Sequence, residues 1–117
     1  MNDVQKLLHF IEENNLEKAQ KIFSKIKRNG TDEEKYLLAE NLFQLGFLEQ
    51  AKELYELLLK SYPDENELKI LLAEILIDLN QEEEAILYLN AIDKEDAFYP
   101  QALLVSADLY QVLGLFE

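Results

Sequence analysis

A fifteen-residue pattern occurs twice in this chain, 34 positions apart. LLAENLFQLGFLEQA (Leu37 to Ala51) returns as LLAEILIDLNQEEEA (Leu71 to Ala85), with Leu38/Leu72, Ala39/Ala73, Glu40/Glu74, Leu42/Leu76, Leu45/Leu79, Glu49/Glu83 and Ala51/Ala85 in register. A unit of this length is one supersecondary motif that cannot bury its apolar face alone, so neighbouring copies must stack. The 117 residues are thereby confined to architectures made by stacking, and the residues inside the unit decide which.

Those residues are helix formers. Leu, Glu, Lys and Ala are the commonest residues, and only three Gly and two Pro occur, too few for a strand-and-turn architecture. Apolar periodicity predicts helices near 2–13, 15–28, 32–45, 48–61, 65–79, 82–92 and 97–113, with an eighth starting at about 116. The joints are punctuated. Gly30 reads as a left-handed C-terminal stop, followed by Thr31 and Asp32 as N-cap candidates with Glu34 completing a capping box. Pro63 cannot continue the helix before it, and Asp64 is placed to cap the next. Gly46 and Gly114 mark tight turns, and Asn14 and Asn80 take the same place elsewhere, since Asn is the residue after Gly that best tolerates positive φ.

Connections of two or three residues force consecutive helices to lie antiparallel. The stretch LKILLAEILIDL (Leu68 to Leu79) is apolar around most of its circumference, which suits a middle helix packed on both sides. The expected fold is all-α, an α-solenoid of antiparallel helix pairs. Its period and two-helix unit resemble the tetratricopeptide repeat family. The second unit matches through Leu38, Ala39, Leu42, Gly46, Leu48, Ala51, Tyr55, Leu58 and Pro63, and the third through Leu72, Ala73, Leu76, Asn80, Ala85, Leu89 and Ile92. The first matches through Leu7, Phe10, Asn14, Leu16, Ala19, Phe23 and Ile26. Its Ala19 precedes Ala51 by only 32 residues, which predicts a short first linker. A fourth begins with Ala107, Tyr110, Gly114 and Phe116. About three and a half repeats result, with units near 1–31, 32–65, 66–99 and an incomplete 100–117. The family's Trp is missing, and Pro100 falls three residues later than Pro63 would place it, so an irregular third joint is expected. Ala51 and Ala85 are expected at the closest helix crossings, with Glu53 exposed.

The formal net charge is −13, which disfavours nucleic acid and anionic membrane surfaces as partners and favours basic ones. The chain has no Cys, excluding disulfides and thiolate chemistry. No signal layout or membrane-length apolar run is visible, and the resemblance is to cytosolic bacterial proteins, so a cytoplasmic location is expected. A search for chemistry finds no catalytic constellation. The single His9, with Glu12 and Glu13 nearby, has no second His to build a metal site. Glu82-Glu83-Glu84 reads as a first helical turn favouring the positive dipole end. Ser24, Ser61 and Ser106 have no His partner. The reading is non-enzymatic, with no cofactor and no metal.

What remains is surface. The resemblance implies that the first helix of each pair lines a concave groove. Carried over by position, it would present Glu33, Tyr36, Glu40, Phe43 and Gln44; then Glu67, Ile70, Glu74, Ile77 and Asp78; then Gln101, Leu104, Asp108, Gln111 and Val112. Glu40, Glu74 and Asp108 form an acidic ladder at 34-residue spacing, beside an apolar ladder of Tyr36, Ile70 and Leu104. Some family members clamp a partner's terminal carboxylate with Lys, Arg and Asn at these places, which acids and apolar groups occupy here. The expected function is a protein-interaction module or scaffold that takes a basic, partly apolar segment. The alternatives are a peptide-sensing domain controlling an effector region, a self-assembly module, and a carboxylate enzyme. The apolar run QALLVSADLYQVLGLF further predicts an N-terminal piece of a longer protein, with a self-associating or partly frayed C-terminal end.

Overall fold

The computed structural model describes residues 1–112 and Gly114. Among them are seven α-helices and no strand: α1 (Asp3–Glu12), α2 (Leu16–Asn29), α3 (Asp32–Leu45), α4 (Leu48–Ser61), α5 (Asn66–Asp78), α6 (Glu82–Asn90) and α7 (Tyr99–Val112). The expected eighth helix lies outside the described residues. The chain divides into two compact units, Met1–Leu54 and Tyr55–Glu117, with the boundary inside α4.

In the first unit α1 packs along α2, and both touch α3. Asn2 starts α1 through a capping box with Gln5. The turn to α2 uses two asparagines for two jobs. Asn14 takes φ 58°, and Asn15 Oδ1 accepts from Lys18 N to cap α2. Val4 and Leu7 of α1 are buried, as are Ala19, Phe23 and Ile26 of α2 and Leu38, Ala39 and Leu42 of α3. Thr31 and Glu34 make the expected capping box. Gly30 departs from expectation: it is extended, at φ −69° and ψ 158°. Its need for glycine is spatial, because a Cβ there would lie 2.6 Å from the Ile26 carbonyl oxygen and 2.9 Å from Ile26 Cγ2.

The second unit contains α5, α6 and α7, joined by a core of Ile70, Ala73, Leu76, Ala85, Leu89, Ile92, Ala102 and Leu109. α5 buries Leu68, Ile70, Leu72, Ala73, Ile75 and Leu76, more than half its circumference, as the apolar LKILLAEILIDL run requires. Pro63 opens a turn closed by Glu65 N donating to the Tyr62 carbonyl, at 3.1 Å. That turn uses Asp64, so the α5 cap is Glu65, which makes no side-chain capping bond, rather than Asp64.

One hydrogen bond recurs at three turns. Asn15 N donates to Phe10 O, Phe47 N to Leu42 O and Gln81 N to Leu76 O, at 2.7, 2.9 and 2.7 Å. Each closes the loop after a residue of positive φ (Asn14, Gly46 or Asn80), the signature of a helix that stops by a left-handed cap. The first two donors are 32 residues apart and the next two 34, which locates the missing pair of residues: α2 and α3 are joined by Gly30 and Thr31 alone, α4 and α5 by residues 62–65. The third joint is irregular as well. α6 ends at Asn90, and residues 91–98 intervene before α7, whose first turn accommodates Pro100.

Candidate functional site

The solvent faces of the first helices were the expected site. On α3, Glu33 and Glu40 are exposed, while Tyr36 and Phe43 are half-buried beside them. Their spacing of three, four and three residues keeps all four on one stripe. Gln44, one position on, is exposed.

In the second unit Glu67, Asp78, Gln101, Asp108 and Gln111 are exposed, and Glu74 and Ile77 are half-buried. Leu104 is 70% exposed. The side chain of Val112 lies outside the described residues. Ile70 is a correction. At 1% exposure it belongs to the core that joins α5 to α6 and α7, where a branched apolar side chain gains more than it would on a wet face. The apolar partners of the acids on this unit are therefore Ile77 and Leu104.

Glu74 has the most informative electrostatics. Burial pushes its carboxyl above the ordinary range, and the charge of Asp78 one turn later pushes it further. Among the described residues His9 and Glu13, Lys25 and Asp3, and Lys27 and Glu53 meet at 2.9 Å, and neither Glu74 nor Asp78 belongs to any of these pairs. His9 is thus engaged with one exposed carboxylate, that of Glu13 at the C-cap of α1. Glu53, expected to be exposed, is half-buried and held by Lys27. No three metal-capable side chains converge among the described residues.

The first unit also has a cleft of about 170 Å³, lined by Leu7, Ile11, Leu16, Phe23, Phe47 and their neighbours. Ligand pockets for small molecules usually occupy about 300–1,000 Å³, so this is a gap between packed helices. Two features escaped sequence reasoning. Asn66 and Asp96 meet across thirty residues, which no local signal announces. Lys18, Lys21, Lys25 and Arg28 line one exposed face of α2; their helical spacing is visible in the sequence but hidden by the net charge of the whole.

No helix among the described residues is long and apolar enough to cross a membrane. Residues 42–109 match the tetratricopeptide repeat family model. The chain is 39% identical over 114 residues to the TPR repeat-containing protein YpiA of Bacillus subtilis (strain 168), an alignment covering 97% of this chain and 27% of the relative. It therefore spans about a quarter of the length of that relative. No solved structure gives a significant match. Helix pairs closed by a recurring turn, the 34-residue register and the family match agree: the chain belongs to the tetratricopeptide repeat family.

Proposed function

We propose that this chain is a non-enzymatic protein-interaction module that receives a basic, partly apolar segment on the faces of its first helices. Tetratricopeptide repeats generally mediate protein–protein interaction; the chemistry of the segment is read from these residues. The observation that carries it is Glu74, a half-buried carboxyl whose titration is raised by burial and by the charge of Asp78, and which lies outside the salt bridges formed by Lys25 and Lys27 among the described residues. A Lys or Arg arriving there would relieve both the burial cost and the like-charge repulsion. Ile77 and Leu104 supply apolar contact on the same unit, and Glu40 with Tyr36 and Phe43 offers the same combination on α3.

The test uses fluorescence anisotropy with three labelled peptides of equal length: Lys/Leu, Glu/Leu and Ser/Gly. The Lys/Leu peptide should bind best, and more weakly at about 1 M than at about 0.1 M salt, as the Debye length falls from about 10 to about 3 Å. Glu40→Lys with Glu74→Lys should abolish most of the binding. Glu49→Lys with Glu83→Lys, the same charge change at exposed positions of α4 and α6, should retain it. Equal loss in both pairs would show attraction to net charge alone, and the site assignment would fall.

A second reading has its own observation. Leu103, Leu104 and Tyr110 of α7 are exposed large apolar side chains, a surface that another copy of the chain could cover. Light scattering over a concentration series separates the two readings: mass increasing with concentration favours self-assembly, and a constant monomer mass removes it.

A further inference from the structure

The charge of the chain is not evenly distributed. α2 holds five bases (Lys18, Lys21, Lys25, Lys27, Arg28) against one acid, Glu17, for a net of +4. Every other helix is negative, and everything outside α2 sums to −17. Four of the five bases fall at spacings of three, four and three, which places them on one side of the helix. They face away from its buried Ala19, Phe23 and Ile26, and all four are exposed.

Acids outnumber bases in this chain by 24 to 11, so a randomly placed base should easily find a carboxylate. Along this stripe, among the described residues, Lys25 alone does so, through Asp3. Lys18 lies over the Phe10 ring, 5.4 Å from its centroid. Arg28 gives its Nε–H to the Ser24 carbonyl of its own helix, leaving the rest of the guanidinium outward. Among the described residues Lys21 is in none of the salt bridges, although Glu17 lies one turn before it. The bases are thus segregated onto one face.

We infer that the exposed face of α2 is a docking surface for a short acidic segment of a partner protein, separate from the acidic faces of the first helices. The segment's length follows from that of the stripe. Ten residues of helix rise about 15 Å, about twice the Debye length of roughly 8 Å at physiological ionic strength. A segment confined to this stripe meets mainly its four bases. A nucleic acid or an anionic bilayer extends far beyond it and meets the −17 of the remaining chain. Carboxylates at matching helical spacing would satisfy Lys18, Lys21 and the outer edge of Arg28, and the fixed fork of Arg28 suits a bidentate carboxylate.

The probe is a labelled alanine-based helical peptide with Glu residues spaced three, four and three apart. Binding by the whole chain at about 0.1 M salt is compared with that of Lys18→Glu/Lys21→Glu/Arg28→Glu and its Gln counterpart. The peptide should bind, the Glu variant should lose affinity about tenfold or more, and the Gln variant should fall between. All three positions are exposed, so circular dichroism should show unchanged helicity; if the Glu variant misfolds, the Gln variant decides. Glu40→Lys with Glu74→Lys should not weaken this peptide, which separates the result from the function proposed above. Absence of binding, or binding indifferent to the stripe, overturns the inference. So does a single-stranded oligonucleotide or a phosphatidylserine vesicle that binds through the stripe as tightly as the peptide.

Discussion

Asn66 donates its Nδ2 to Asp96 Oδ2 at 2.6 Å, tying the first residue of α5 to the connection between α6 and α7. The other oxygen of the same carboxylate accepts from Phe98 N at 2.8 Å. One side chain thus holds the irregular third joint in place, where α6 has stopped early and eight residues must lead to α7. Asp96→Ala removes both bonds and should cost roughly 1–3 kcal/mol, since a charged acceptor in a part-buried setting contributes more than a neutral one. The loss should appear in thermal unfolding and as faster hydrogen exchange at Phe98 N–H. An unchanged exchange rate there would mean that the joint is held by packing alone.

Gly30 and Gly46 are glycines for different reasons, and one substitution distinguishes them. At Gly46, φ is 91° with open space around the missing Cβ; at Gly30, φ is ordinary but Ile26 blocks the Cβ. Replacing either by Ala should destabilise, by about 1–2 kcal/mol at Gly46 for the left-handed backbone and about 1–3 kcal/mol at Gly30 for overpacking. Asn tolerates positive φ, as Asn14 and Asn80 already do in this chain. Gly46→Asn should therefore recover most of the loss, and Gly30→Asn none of it. Equal recovery at both in thermal melts would refute the spatial account of Gly30.

The contrast between those glycines marks what a sequence can disclose. Turns closed by Asn14, Gly46 and Asn80 were legible because a left-handed cap is a local event with a narrow choice of residue. The short first linker was legible too, as a register difference between Ala19 and Ala51. Gly30 misled because close approach to Ile26 leaves the same residue in the sequence as a positive φ would. Ile70 misled for a related reason: position on a helix gives a direction, whereas burial depends on what packs there. The Asn66–Asp96 bond depends wholly on the tertiary fold. The α2 stripe was hidden by summing charge over the chain instead of over each helix.

Ala51 and Ala85 have no exposed surface, as positions where helix backbones approach most closely should. Ala85→Leu would insert three carbons into the core of α5, α6 and α7 and should cost roughly 1–3 kcal/mol; Ala51→Leu should behave alike in the first unit. The comparison residue is exposed Glu49, because Glu53 is engaged with Lys27. Glu49→Leu should stay within about ±0.5 kcal/mol. Melting temperatures of Ala85→Leu and Glu49→Leu that coincide would show the packing register to be wrong.

Glu74 provides a test in pH. Its carboxyl is raised above the ordinary 4.5, first by burial and then by Asp78. An acid whose folded value is raised contributes stability that is fully present below its unfolded value and lost as pH rises through the folded one. At neutral pH the ionised Glu74 therefore opposes folding slightly. Glu74→Gln cannot ionise, so it should melt higher than the parent at pH 7, with the gain shrinking as pH falls and vanishing below about 4. Asp78→Asn should lower the Glu74 titration only part of the way, because burial is the larger cause. The same group links pH to binding: a basic segment seated beside Glu74 would favour its ionised form, and its affinity should weaken as the solution is acidified through that titration. Side-chain carboxyl NMR follows the titration directly. A Glu74 midpoint at or below the ordinary glutamate range would remove the raised carboxyl on which the basic-partner reading rests.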